Sequence, residues 1–209
     1  GTAVFGLLAA VVYASAKGTS LSKYVLSFVL IGFVVLHIQL SRGMLEFHFG
    51  VFVSLAALLV YRDWRVVVFG ALMYALHHVG FDRLQAAGFG LYCLSEPNFA
   101  TILLHAAYVV VQAGVEIVLV LGMSRAAQAG DELGVLVRQV NRAEGIALDV
   151  SAVAVATPAG EALKSTLARM AQAVGAVRVG ASSIELACSE IASGNQDLSN
   201  RTEQTASNL

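Results

Sequence analysis

Five apolar stretches fill most of the first 124 residues: Thr2–Ala16, Tyr24–Leu40, Leu45–Tyr61, Val66–Phe81 and Asn98–Met123. A membrane helix needs roughly 20 mostly apolar residues, with about 17 as a lower bound. In hydrocarbon every backbone N–H and C=O must be satisfied within the protein, so runs of this kind are read as helices. The expected class is all-α, with a multi-span transmembrane helix bundle over residues 1–124. Composition agrees, because 57% of the chain is hydrophobic and only 13% charged, against about 45–50% and 25% in soluble domains.

Charge divides the chain. Residues 1–124 hold six Lys/Arg, five Asp/Glu and all five histidines, whereas residues 125–209 hold seven Lys/Arg and nine Asp/Glu. The first part reads as membrane and the second as water-exposed. A net charge of −1 carries no basic footprint, so a nucleic-acid partner is excluded. Two cysteines, Cys93 and Cys188, make no disulfide framework. No basic segment precedes the first apolar run, so a signal peptide is not expected.

Lys and Arg in short loops set orientation. Lys17 and Lys23, Arg62 and Arg65, and Arg125 fall on one side of a five-span bundle, and Arg42 and Arg83 on the other. The richer side is expected in the cytoplasm of a bacterial inner membrane. Gly1 and Cys93 then lie outside and Cys188 inside. A further span upstream is expected, and the chain reads as a piece of a longer protein.

This topology brings the histidines to one level near the outer surface. His37 lies near the outer end of the second span and His48 near that of the third. His77 and His78 close the fourth, and His105 lies about two turns into the fifth. Ionisable groups inside spans are costly and usually face a bundle interior or a ligand. Imidazole binds Zn, Cu, Ni or haem iron, and it titrates near neutral pH. A transition metal, a haem or a proton are therefore the readings of the cluster, beside interhelical hydrogen bonding. His77 and His78 stand about 100° apart on a helix, so one of them is expected to point inward. The leading metal candidates are His37, His48, His78 and His105.

On the fifth span, Thr101, His105, Gln112 and Glu116 are spaced by 4, 7 and 4, one helical face, with Tyr108 close by. The stripe suits a signal or proton path, or simply interhelical packing. Tyr61-Arg62-Asp63-Trp64-Arg65 reads as an inner turn with interfacial aromatics.

Beyond Met123, Asp131–Val137 is expected to begin a short amphipathic helix, and a connector containing Pro158 follows. Small or apolar residues then recur at Leu163, Leu167, Met170, Val174, Val177, Ala181, Ile184, Cys188 and Ile191. The register continues through Asn195, Leu198, Thr202, Thr205 and Leu209. Alternating spacings of four and three are the heptad signature of a coiled coil. The seam turns from Leu and Met to Ala, Cys, Asn and Thr, which predicts a marginal, repackable dimer.

Ile191-Ala192-Ser193-Gly194-Asn195-Gln196-Asp197-Leu198-Ser199-Asn200-Arg201-Thr202-Glu203-Gln204 resembles the cytoplasmic helix of methyl-accepting chemotaxis receptors. Val177-Arg178 and Ser189-Glu190 fit the same approach, so the likeness covers about Gly160–Leu209. Asp131-Glu132-Leu133-Gly134 and Gly160-Glu161-Ala162-Leu163 are similar to the helices of a HAMP-type converter. The implied organisation is a sensor region over 1–124, a HAMP-like connector over 125–159 and the start of a signalling coil over 160–209. The resemblance implies that Glu203 and Gln204 form an adaptation pair, Gln204 being deamidated and then methyl-esterified. It also implies a homodimer within receptor arrays, a methyltransferase and a methylesterase, and a histidine kinase with its coupling protein acting at a hairpin tip past Leu209. The expected function is a non-enzymatic transmembrane chemoreceptor sensing at the histidine level. The alternative is a membrane haem or metal protein that moves electrons or protons.

Overall fold

Capping chemistry sets most helix starts. Thr19 accepts from the Ser22 amide at 3.2 Å and opens α2 (Ser20–Leu40), which follows α1 (Thr2–Ala16). A 3₁₀ turn (Leu45–His48) leads into α3 (Phe49–Ala57), and a second 3₁₀ turn (Leu58–Tyr61) closes it. Asp63 accepts from the Arg65 amide at 3.1 Å and starts α4 (Trp64–Ala86). The helix α5 (Phe99–Val140) is followed by two antiparallel two-residue strands, β1 (Asn141–Arg142) and β2 (Gly145–Ile146), and then by α6 (Pro158–Ser207). This computed structural model describes residues 1–143 and 145–208. It is 81% helical, as the apolar runs and heptads require. The chain divides into two units, Gly1–Ala126 and Ala127–Leu209.

Among the described residues, α2, α4 and α5 are long and apolar enough to cross a membrane. The sequence predicts about five spans, and the other two segments, Thr2–Ala16 and Leu45–Tyr61, form shorter apolar helices. The 15 residues of α1 rise only about 22 Å, short of a core roughly 30 Å thick. The Leu45–Tyr61 segment gains length from its 3₁₀ ends, which rise about 2.0 Å per residue, and so reaches about 30 Å. Exposed apolar side chains such as Val110, Val111 and Val118 on α5 suit contact with lipid.

The core of the first unit joins α2, α3 and α4 through Ile31, Ile38, Val51, Leu55, Leu58, Val66 and Tyr74, all nearly inaccessible. The Tyr74 hydroxyl would be costly to bury alone, and it shares a hydrogen bond with Ser54 at 2.5 Å. A second cluster, Val67, Ala113 and Val120, fastens α4 to α5. Lys23 pairs with Asp63 at 3.4 Å across the Arg62 turn.

The expected helix end at Met123 and new helix near Asp131 are not found. α5 runs through both positions. The reason is local: Arg125-Ala126-Ala127-Gln128-Ala129 are strong helix formers and Gly130 alone does not stop a helix. In the second unit Leu136, Val150 and Leu167 form a small core, joined by Val140, Leu148, Val153, Val155 and Leu163. Glu132 clamps the start of α6. Its carboxylate accepts from the Ala156 amide at 3.1 Å, the Thr157 amide at 3.0 Å and the Thr157 hydroxyl at 2.6 Å. These bonds, the Thr157 hydroxyl first, hold the carboxyl below the usual carboxylate range. Thr157 in turn caps the Gly160 amide at 3.2 Å. A Cβ on Gly160 would lie 2.5 Å from the Glu132 carboxylate, so the clamp needs glycine there.

Along α6, Leu163 and Leu167 turn into that small core, and the later seam stays open. Met170, Val174, Val177, Ile184, Ile191 and Leu198 are each exposed by half or more. Leu209, the last seam position, lies outside the described residues.

Candidate functional site

The histidines meet where α4, α5 and the turn before α3 come together. His48 closes the first 3₁₀ turn and is buried. Its ring stacks on His105 from α5, with centroids 5.5 Å apart and planes within 9°. His78 from α4 stands edge-on to His48 at 5.5 Å and to His105 at 6.3 Å. His77 lies 5.1 Å from His78 and packs on Phe81 at 4.4 Å. Both His77 and His78 are buried, where the helical angle suggested that one would turn away. The structure corrects that expectation, because α4 is covered on two sides. His78 faces α5 and lines a cavity of about 230 Å³ with His105, while His77 lines another of about 480 Å³ with Phe5, Phe28 and Ile31.

His37 does not join them. It is exposed on α2, its ring 6.4 Å from Phe47. Ile31 and Ile38 define the buried face of α2, and a residue beside Ile38 is turned about 100° off that face.

Cys93 fills the place expected for His37. The thiol is fully buried, and one ligand atom each from His48, His78 and Cys93 lies within 4.8 Å of the others. The loop that carries it, residues 87–98, is held by polar side chains from two helices. Gln39 accepts from the Tyr92 amide at 2.9 Å. Gln85 accepts from the Cys93 amide at 2.9 Å and donates to the Leu94 carbonyl at 2.7 Å. Asp82, buried and paired with Arg83, accepts from the Asn98 amide at 3.0 Å. Gly43 closes the other side. Its φ of +74° favours glycine, and a Cβ there would strike the Leu94 backbone. Burial, with the Asp82 carboxylate adding to it, pushes the Cys93 thiol up to about 12.

The tautomers can be read from the carbonyls. His48 Nδ1 donates to the Met44 carbonyl at 3.1 Å and His78 Nδ1 to the Tyr74 carbonyl at 2.9 Å. A carbonyl only accepts, so each neutral ring carries its proton on Nδ1 and a lone pair on Nε2. His48 Nε2 is buried with no hydrogen-bond partner, as are His77 Nε2 and His105 Nδ1. An imidazole oriented through one nitrogen and free at the other is the arrangement of a metal-ligating histidine.

The stripe on α5 is only partly assembled. Glu116 is buried, accepts from Gln112 at 2.5 Å and has a second oxygen without a partner. Thr101 and His105 are half-buried and Tyr108 is exposed. Glu203 and Gln204 lie exposed on α6. The residue that the histidine reading missed, Cys93, did carry a signal. The Lys and Arg of the short loops predict Cys93 on the same side as the histidines. No protein-family model, curated protein or solved structure matches the chain.

Proposed function

We propose that this chain is the sensory and signal-converting part of a transmembrane chemoreceptor of the methyl-accepting type, working as a homodimer without catalysis. A stimulus at the His48–His78–His105 level displaces α5, and the displacement alters how α6 packs against its copy. The observation that carries the reading is that one helix, α5, bears both His105 and the Glu132 carboxylate that clamps the start of α6. A ligand on His105 and a clamp on α6 therefore act on the same backbone. The exposed seam from Met170 to Leu198 supports a second copy as its cover, since a lone helix of this composition is marginal in water. A polar, small-residue seam is easily repacked, and deamidation at Gln204 adds a negative charge between neighbouring helices that methyl esterification removes. A kinase and its coupling protein would read the result.

The test uses the full chain in a bacterial membrane. Cys188 lies on the seam and is exposed, so mild oxidation is expected to crosslink two copies through it. Co-expression with a chemotaxis deamidase and methyltransferase is expected to convert Gln204 to a glutamyl methyl ester, read by mass spectrometry. A chain that stays monomeric and unmodified would overturn the proposal.

A further inference from the structure

We infer that His48, His78 and Cys93 form a binding site for a single copper ion in the monovalent state. The inference names the ligand of the sensory site proposed above and rests on that reading only for its biological use. The site itself stands on geometry.

Three observations carry it. The three donor atoms lie within 4.8 Å of one another and all three residues are buried. His48 Nε2 is more than nine-tenths buried and unpartnered, and its ring is fixed from the far side by the Met44 carbonyl. The cysteine is held there by Gln85 and the Gly43–Leu94 contact, with Gln39 and Asp82 holding the loop on either side. A buried polar nitrogen without a partner costs free energy, and a metal between these donors removes that cost.

Donor chemistry narrows the metal. One sulfur and two imidazole nitrogens favour copper or zinc over magnesium, calcium or manganese. Charge then separates copper from zinc. On binding, the Cys93 thiol releases its proton to solvent as the sulfur–metal bond forms. Monovalent copper with one thiolate and two neutral imidazoles is electrically neutral, whereas divalent zinc leaves one positive charge. The buried carboxylate nearby, Asp82, is already paired with Arg83, and Glu46 and Glu96 are exposed. An uncompensated charge in this apolar surrounding is costly, so the neutral complex is preferred. His105, stacked on His48, is placed to register occupancy and pass it to α5.

The experiment uses the full chain in lipid nanodiscs, with Cys188→Ser as background to remove the exposed thiol. Copper(I) is titrated without oxygen against a chromophoric copper(I) chelator, and zinc is offered in parallel. One copper per chain is expected, preferred over zinc, with one sulfur and two nitrogen donors in the X-ray absorption spectrum. Cys93→Ser, His48→Ala and His78→Ala should each weaken copper by about 100-fold or more, while His37→Ala should leave it unchanged. Circular dichroism and thermal melting identify the folded variants, and Cys93→Ser, the mildest change, keeps the test open if an alanine variant misfolds. Preference for zinc, undiminished copper binding by folded Cys93→Ser, or no copper on the folded chain would each overturn the assignment. Oxidative crosslinking at Cys188 and conversion of Gln204 are measured separately on the chain that retains Cys188. A failed copper site with intact crosslinking therefore leaves the transducer reading standing, and the reverse result leaves the copper site standing.

Discussion

The outer end of the first unit and the distal part of α6 are opposite solutions to the same problem. Around His48, residues 30 to 57 positions apart in sequence meet in a closed polar centre, fixed by Gln39, Gln85 and Asp82. Beyond Leu167, α6 presents a regular apolar seam whose large side chains, from Met170 to Leu198, are each exposed by half or more. The first region packs within one chain, and the second leaves its apolar seam exposed, which the proposed function covers with a second copy. A repeating pattern is legible along one helix, whereas a site depends on what distant segments bring together.

The two regions should differ most in their response to losing a large apolar side chain. Leu55, fully buried between α2 and α4, should cost about 2–5 kcal/mol on replacement with Ala, read by denaturant unfolding in detergent. Leu198→Ala, at a site 60% exposed, should cost a single copy less than about 0.5 kcal/mol but lower the melting temperature of the assembled dimer. Equal losses in both would erase the distinction.

Gly43→Ala comes next, at about 1–3 kcal/mol for the positive φ together with the Leu94 collision. Its specific consequence is displacement of the 87–98 loop, so Cys93 should become reactive to a membrane-permeant thiol reagent. Unchanged protection would mean that the loop is held without that contact.

Ile191→Asp should loosen the seam, and Gly194→Cys crosslinking between copies should fall several-fold. Undiminished crosslinking would place the contact on another face of α6.

The Glu132 clamp gives a pH effect of definite sign. Its carboxyl is held low in the folded chain, so the clamp contributes fully above the ordinary carboxylate range and is lost as pH falls through its lowered value. Amide exchange at Ala156 and Thr157 should therefore quicken in acid, and Glu132→Gln should remove that dependence. The smallest effect is expected at His37. As an exposed residue apart from the cluster, its change to Ala should stay within about 0.5 kcal/mol in thermal unfolding.

Much of the architecture was legible from pattern. The limits of α1 and of the Leu45–Tyr61 segment coincide with apolar runs, because lipid and core both demand apolar side chains there. The continuity of α5 has its sequence signal in the Ala-rich stretch after Ser124, which favours helix although hydropathy falls there. The inward turn of both His77 and His78 was not legible, since helical angle says which residues diverge and not how many neighbours cover a helix. Nor was the exchange of His37 for Cys93.

By itself the sequence determined the helical class, the apolar runs fit for a membrane and the four-and-three spacing of apolar residues along α6. These follow from local composition and spacing, which act over a few turns. Tertiary structure alone decided which donors meet, which ring nitrogens are left free, and that a loop cysteine folds back beside His48 and His78. Those outcomes depend on hydrogen bonds and close contacts between segments far apart in the chain, such as Gln85 to Cys93 and Gly43 to Leu94, and no periodicity records them.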